Sequence, residues 1–236
     1  MITRRRALRQ SAVCLAVLAG TILAAGPLVS GCGETEKRDA KKPAAAAAKD
    51  SGELTLFDGK SLKGWIISDY PSHGAVKVKD GQIILEEGEF PLTGITWKGG
   101  PLPKTNYEIT LDAMRVEGSD FFCGLTFPVK DSFCSLIVGG WGGKVLGLSC
   151  LNDMDAANNE TCRMMDFENG KWYYFRVRVT DTKIEAWING DQVVNSGIEG
   201  RRVSVRFDVE PSCPFGVAAY RTKAAVRNIQ VKAITE

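Results

Sequence analysis

Histidine occurs once in the 236 residues, as His73, so a metal centre built on several imidazoles is excluded. No Cys-x-x-Cys pair is present, which argues against a zinc ribbon and against a thioredoxin-like redox pair. A Ser-His-Asp triad has no Gly-x-Ser-x-Gly elbow to support it. Positive charge is equally scarce beyond the amino terminus. Four of the 30 Lys and Arg residues (Arg4, Arg5, Arg6 and Arg9) precede residue 32, a stretch without any acid, so the remainder holds 26 basic against 28 acidic groups, net about −2. No run or stripe of Lys and Arg is left to neutralise consecutive phosphates, and nucleic acid is not an expected partner. Convincing amphipathic helices are also lacking, although 44% apolar residues suffice for a sizeable core.

What is present begins with an export signal. Residues 4–9 form a positive n-region and 11–29 an uncharged Ala/Leu/Val-rich stretch, which ends in Val29-Ser30-Gly31-Cys32. This segment resembles a bacterial lipoprotein signal. The resemblance implies cleavage before Cys32, lipidation of the Cys32 sulfur, membrane attachment through that anchor at the periplasmic face of the envelope, and, with Gly33 following, sorting to the outer membrane. A plain membrane anchor is the alternative, and the arginine cluster leaves the Sec and twin-arginine routes both open. Residues 32–51 hold charged residues and five consecutive alanines but no large apolar side chain, so they read as a flexible tether. Residues 52–236 are then the folded domain.

Beyond the signal and Cys32 the cysteines are Cys123, Cys134, Cys150, Cys162 and Cys213. Five is odd, so at least one is unpaired in the monomer. Cys123 and Cys134 flank a turn and are candidates for a bridge across a hairpin; Cys150 and Cys162 are candidates to close the polar loop between them.

From Glu53 onward the apolar pattern has period two. Gly, Pro, Asn and Asp clusters cut the chain into short runs at 53–57, 64–67, 75–79, 82–86, 106–116, 121–127, 133–138, 144–149, 172–180, 183–189, 203–207, 215–220 and 226–234. Short strands at regular spacing predict an all-β sandwich of two antiparallel sheets. The stretch Trp172–Val194 is the most informative. With Asp181-Thr182 as a two-residue turn, Thr180 faces Lys183, and one face of the hairpin reads Phe175/Ile188, Val177/Ala186 and Val179/Ile184, which is core. The other face reads Tyr174/Asn189, Arg176/Trp187 and Arg178/Glu185, a cation–π pair beside an ion pair. Asn189-Gly190 turns the chain again and sets Val193 opposite Ala186.

An aromatic ring among hydrogen-bonding side chains on an exposed sheet face suits a sugar, whose apolar face stacks while its hydroxyls bond to Arg, Glu or Asn. Trp187, Arg176 and Glu185 are therefore candidate substrate-binding residues; a tryptophan that only shields its sheet is the competing reading. Gly139-Gly140-Trp141-Gly142-Gly143 presents an indole on bare backbone, either for close ligand approach or as a sharp bend. Asp153, Asp155, Asn158, Asn159 and Glu160 form a polar loop able to hold Ca²⁺ but without EF-hand spacing, and no metal is assigned.

Leu56-Phe57-Asp58-Gly59-Lys60-Ser61-Leu62-Lys63-Gly64-Trp65 resembles the opening motif of the 3-keto-disaccharide hydrolase domain family. Val78–Ile83, Gly170–Tyr173 with Ile184–Val193, and Val226–Val231 are similar to its second strand pair, central hairpin and closing strand. The resemblance implies a concanavalin A-like jelly roll and cleavage of glycosides whose ring is oxidised to a ketone at carbon 3. Two of the family's usual features, an Asn-Ser-Gly followed by an arginine and a Glu-x-Gln strand, are missing from Ser119–Phe127 and Phe133–Gly143. The ketone acidifies the hydrogen on carbon 2, so a base could remove it and expel the aglycone from carbon 1, with water adding afterwards. Candidate bases are His73, Asp69 and Asp120; Arg115 or Arg176 could polarise the carbonyl, and Trp141 could bind the sugar. No cofactor is assigned. A non-catalytic carbohydrate-binding sandwich is the alternative on the same scaffold.

Overall fold

The computed structural model describes residues 52–235. The segments expected to be a signal (1–31) and a tether (32–51), and the expected lipidation site Cys32, lie outside the described residues. Among the described residues, fifteen strands form two sheets, and every pairing between them is antiparallel.

The first sheet runs β13 (Asp191–Gly197), β12 (Lys183–Ile188), β11 (Trp172–Val179), β6 (Tyr107–Gly118), β15 (Thr222–Ala233), β4 (Gln82–Leu85) and β3 (Val76–Lys79), with β1 (Glu53–Thr55) on the far end of β15. The second runs β10 (Arg163–Met164), β9 (Val145–Ser149), β8 (Ser132–Gly139), β7 (Cys123–Val129), β14 (Gly216–Tyr220), β5 (Leu92–Trp97) and β2 (Trp65–Ile67). This is the two-layer antiparallel sandwich expected from the alternation. The core between the layers is built from the inward alternate residues of both sheets, among them Tyr107, Ile109, Leu111, Phe175 and Val177 from the first and Leu125, Phe127, Leu136, Leu148 and Val217 from the second. Trp65 closes one end, its ring 5.3 Å from that of Trp97 and its indole N–H donating to the Leu56 carbonyl at 2.7 Å.

The central hairpin has the predicted register at every position of β11 and β12, from Phe175/Ile188 to Val179/Ile184. Two details differ. A β-bulge between Ala186 and Trp187 sets Val194, not Val193, opposite Ala186, and both valines are buried as a result. Arg178 and Glu185 stand opposite each other, yet each takes another partner: Arg178 pairs with Glu108 on β6 at 2.8 Å, and Glu185 with Lys183 at 3.0 Å. A third strand offers Arg178 an acceptor that a two-strand reading does not contain. β5 was not among the predicted runs, because Pro91 and Gly94 interrupt its pattern. The run at 203–207 makes only a single bridge, Val203 to Leu151, before a 3-10 helix at Phe207–Ser212.

The two sheets differ in burial. Strands β6 and β11 alternate between buried and part-exposed residues, as expected of an antiparallel sheet with one wet face. Strands β5, β7 and β9 are buried at every residue. Their outer face is covered by the chain itself, through the loop 150–162 and the segment 203–212. A second apolar cluster, including Tyr70, Phe121, Ile137, Ala156, Val209 and Ala218, fills the space beneath that cover. Asn159 bolts the loop down: its buried amide donates to the carbonyls of Leu148, Met154 and Asp155 and accepts from the Thr161 N–H and hydroxyl.

The proposed disulfides do not form; all five cysteines are free. Cys123 lies opposite Val138 and Cys134 opposite Phe127, so the two are offset by four residues, about 13 Å along the hairpin, beyond the reach of a bridge. Burial pushes the Cys123 and Cys134 thiols up to about 12. Both are fully protonated at pH 8, where only thiolates alkylate quickly. Iodoacetamide applied to the native protein at pH 8 is expected to label part-exposed Cys162 while sparing Cys123 and Cys134 until denaturant is added. Mass mapping that finds Cys123 modified at the rate of Cys162 would contradict this packing.

Candidate active site

The cover leaves one end of the second sheet's outer face open, and there lies a cavity of about 210 Å³. Phe121, Ile137, Val209 and Tyr220 give it apolar walls, while Asp120, Asp208, Arg206 and Trp141 bring charge and an indole. A few convergent polar groups on an apolar lining is the usual make-up of a small-ligand site.

Three stretches supply these groups. Asp120 ends the turn after β6. One carboxylate oxygen accepts from the Phe121 N–H at 2.8 Å and the other from the Gly142 N–H at 3.0 Å, so the acid also latches the turn that carries Trp141. That turn joins β8 to β9. Trp141 itself sits at φ 50°, ψ 53°, and is 44% exposed. Gly143, at φ +104°, has no room for a side chain, since a Cβ would stand 2.8 Å from the Ser119 carbonyl oxygen and 3.0 Å from Arg115 Nη1. The glycine-rich stretch is thus both a sharp bend and a platform for the indole. The third stretch is the covering segment. Arg206 holds both oxygens of Asp208, at 3.2 and 3.3 Å, and Asp155 at 3.0 Å, and its guanidinium lies 5.9 Å from the Trp141 ring centre.

Of the residues singled out from the sequence, Asp120 and Trp141 come together in this cavity. His73 and Asp69 are exposed and stand outside its lining; the His73 Nδ1 lies 2.8 Å from the Gly74 carbonyl oxygen. Arg115 is buried behind the cavity, not in it, with its donors directed at backbone carbonyls and Asn169. Trp187, Arg176 and Glu185 lie on the exposed face of the other sheet. There Arg176 sits 3.8 Å above the Trp187 ring and bonds Glu108 at 3.2 Å, the cation–π pair expected from the register, but it covers the indole face a sugar would use. In the polar loop the acids do not converge on a cation site: Asp153 pairs with Arg202, Asp155 with Arg206 and Glu160 with Arg201, and no metal-holding cluster occurs among the described residues.

Arg206, Asp208 and Tyr220 escaped the sequence reading. The alternation of Val203-Ser204-Val205-Arg206-Phe207 reads as strand and hides a segment that folds back over the sheet. One signal was available: three arginines at 201, 202 and 206 match the three acids at 153, 155 and 160.

A second cavity, of about 440 Å³, lies beside the opening motif between Asp58, Lys63, Gly64 and Trp97. Its acid, Asp58, accepts from the N–H groups of Lys60 and Ser61 and from the Ser61 hydroxyl, and these bonds hold its carboxyl below the usual carboxylate range.

The fold is an all-β sandwich of two antiparallel sheets with a cavity at the open end of one outer face. Residues 52–232 match the 3-keto-alpha-glucoside-1,2-lyase-like domain family, and the chain belongs to that family. No curated protein matches it in sequence. Among solved structures it is similar to the Crh5 transglycosylase in complex with NAG (TM-score 0.52, 9% identity, covering 79% of this chain and 85% of that one). It is also similar to a structure from work on endo-acting O-glycanases of the human gut microbiota that initiate mucin breakdown (TM-score 0.52, 13% identity, 77% of this chain and 100% of that one). At such identities these likenesses establish the fold alone.

Gly143→Ala is expected to destabilise the domain by about 1–3 kcal/mol, the range for a non-glycine residue forced into such a conformation. Urea unfolding checks this; a midpoint equal to that of the parent protein would show that the turn is not held as described.

Proposed function

We propose that the cavity cleaves 3-keto-glycosides by elimination across carbons 1 and 2, followed by addition of water. The supporting observation is that Asp120 and Trp141, which flank the hairpin of β7 and β8, line one small cavity together with Arg206. In this reading the sugar stacks on the exposed indole of Trp141. The Asp120 carboxylate, whose orientation is set by the Phe121 and Gly142 N–H groups, takes the proton from carbon 2. Negative charge then moves to the oxygen on carbon 3, where an N–H of Arg206 not used by Asp155 or Asp208 stabilises it. The electron pair returns to expel the aglycone from carbon 1, and water adds across the resulting double bond. The family's description as 1,2-lyase-like agrees with the carbon pair that this chemistry selects.

One observation favours a second reading. Asp208 and Asp155 already neutralise Arg206, which would suit a cavity that binds a sugar without turning it over. Purified full-length chain incubated with a 3-keto-disaccharide separates the two. Monosaccharide release that falls by about 10²–10⁴-fold in Asp120→Asn is the expected outcome for a lost general base. Saturable binding without release, abolished in Trp141→Ala, would establish the binder instead.

We also propose that the domain is held at the cell envelope by lipid on Cys32. Labelled palmitate supplied to a bacterium expressing the full chain is expected to be incorporated into the protein and lost in Cys32→Ser. Equal labelling of both would discard the anchor.

A further inference from the structure

We infer that Arg115 is the positioning residue of the site, holding Asp120 and the Trp141 turn in a single frame. The inference rests on the cavity reading above. Arg115 is 7% exposed and makes no ion pair among the described residues. A buried cation without a counter-ion is costly unless oxygen dipoles surround it, and an apolar side chain of similar size would often serve stability equally well. Here the dipoles come from three separate loops. Nε donates to Asn169 Oδ1 at 2.6 Å and Nη2 to the Phe167 carbonyl, while Nη1 is directed at the carbonyls of both Asp120 and Gly143, 3.5 Å from each.

Those last two carbonyls belong to the residues that flank the chemistry. Asp120 carries the base, and Gly143 closes the turn on which Trp141 stands. The same two stretches meet again on the cavity side, where the Gly142 N–H reaches the Asp120 carboxylate. Arg115 therefore backs the pair from behind while Asp120 joins it in front. The missing side chain at Gly143 fits this arrangement, because a Cβ there would press on Nη1 itself. Only a planar fork can span these acceptors; an ammonium at the end of a lysine keeps the charge but not the reach. The ring centre of Phe122 lies 5.8 Å from the guanidinium carbon.

The test is Arg115→Lys, alone and combined with Asp120→Asn, in the full chain. If Arg115 acts by placing Asp120, kcat for a 3-keto-disaccharide falls by about tenfold or more with KM changed less, and the same substitution lowers kcat by a clearly smaller factor once Asp120 is Asn. A readout independent of turnover is acrylamide quenching of Trp141, taken as the difference between each protein and its Trp141→Phe counterpart; it should rise in Arg115→Lys. Should that variant fail to fold, Asn169→Ala removes the anchor of Nε from an exposed position and is expected to shift the quenching in the same direction. Multiplicative losses in the double variant, or quenching unchanged in the folded variant used, overturn the inference. A parent protein without turnover defeats the proposed reaction, whereas the quenching comparison still decides whether Arg115 sets the turn.

Discussion

The structure depends on covering the outer face of its second sheet. A sandwich needs one buried face per sheet, and the period-two pattern supplies that. Here β5, β7 and β9 are buried on both sides, so the chain must lay a further layer over them and keep it there. Two kinds of interaction do so. Beneath the layer lies a separate apolar cluster around Phe121, Ile137 and Val209, and within it three arginines of one segment meet three acids of another. The ion pairs are largely exposed and individually weak, so the apolar contacts and the buried Asn159 amide carry most of the stability while the charges fix which segment lies against which.

That cover also shapes the cavity. It consumes nearly the whole outer face, including the hydroxyl pairs Ser68/Thr96 and Thr126/Ser135, which satisfy each other under it. What remains open is one end, and the groups gathered there come in equal measure from the cover and from turns between strands: Arg206 and Asp208 from the first, Asp120 and Trp141 from the second. The exposed face of the other sheet is the opposite case. Its tryptophans already have partners, Arg176 over Trp187 and Arg227 over Trp172 at 4.0 Å, and its acids Glu108 and Asp112 are engaged by arginines. Most of this surface is self-paired, although one carboxylate oxygen of Glu185 has no hydrogen-bond partner and Tyr174 is exposed.

Much of the sandwich was legible in the sequence because its signals are local. The hairpin of β11 and β12 follows from a two-residue turn and strict alternation, and its register is correct at each pair. Errors began where a neighbour from elsewhere in the chain decided the outcome. Arg178 chose Glu108 over Glu185, the bulge at Ala186 moved Val194 into place, and Cys123 and Cys134 packed into the core with no bond between them. The lining of the candidate cavity was legible by half. Asp120 and Trp141 stood out as an acid in a loop and an indole among glycines. Arg206 and Asp208 were hidden in a segment that alternates like a strand but serves as a lid over one.

The central claim is that the ligand surface is the open end of the covered face. Hydroxyl-radical footprinting of the full chain, with and without a 3-keto-glucoside, tests it most directly. The account predicts that the sugar protects Trp141 and Tyr220 while oxidation of Trp187 and Trp172 is unchanged. Protection of Trp187 with Trp141 unaffected would contradict it.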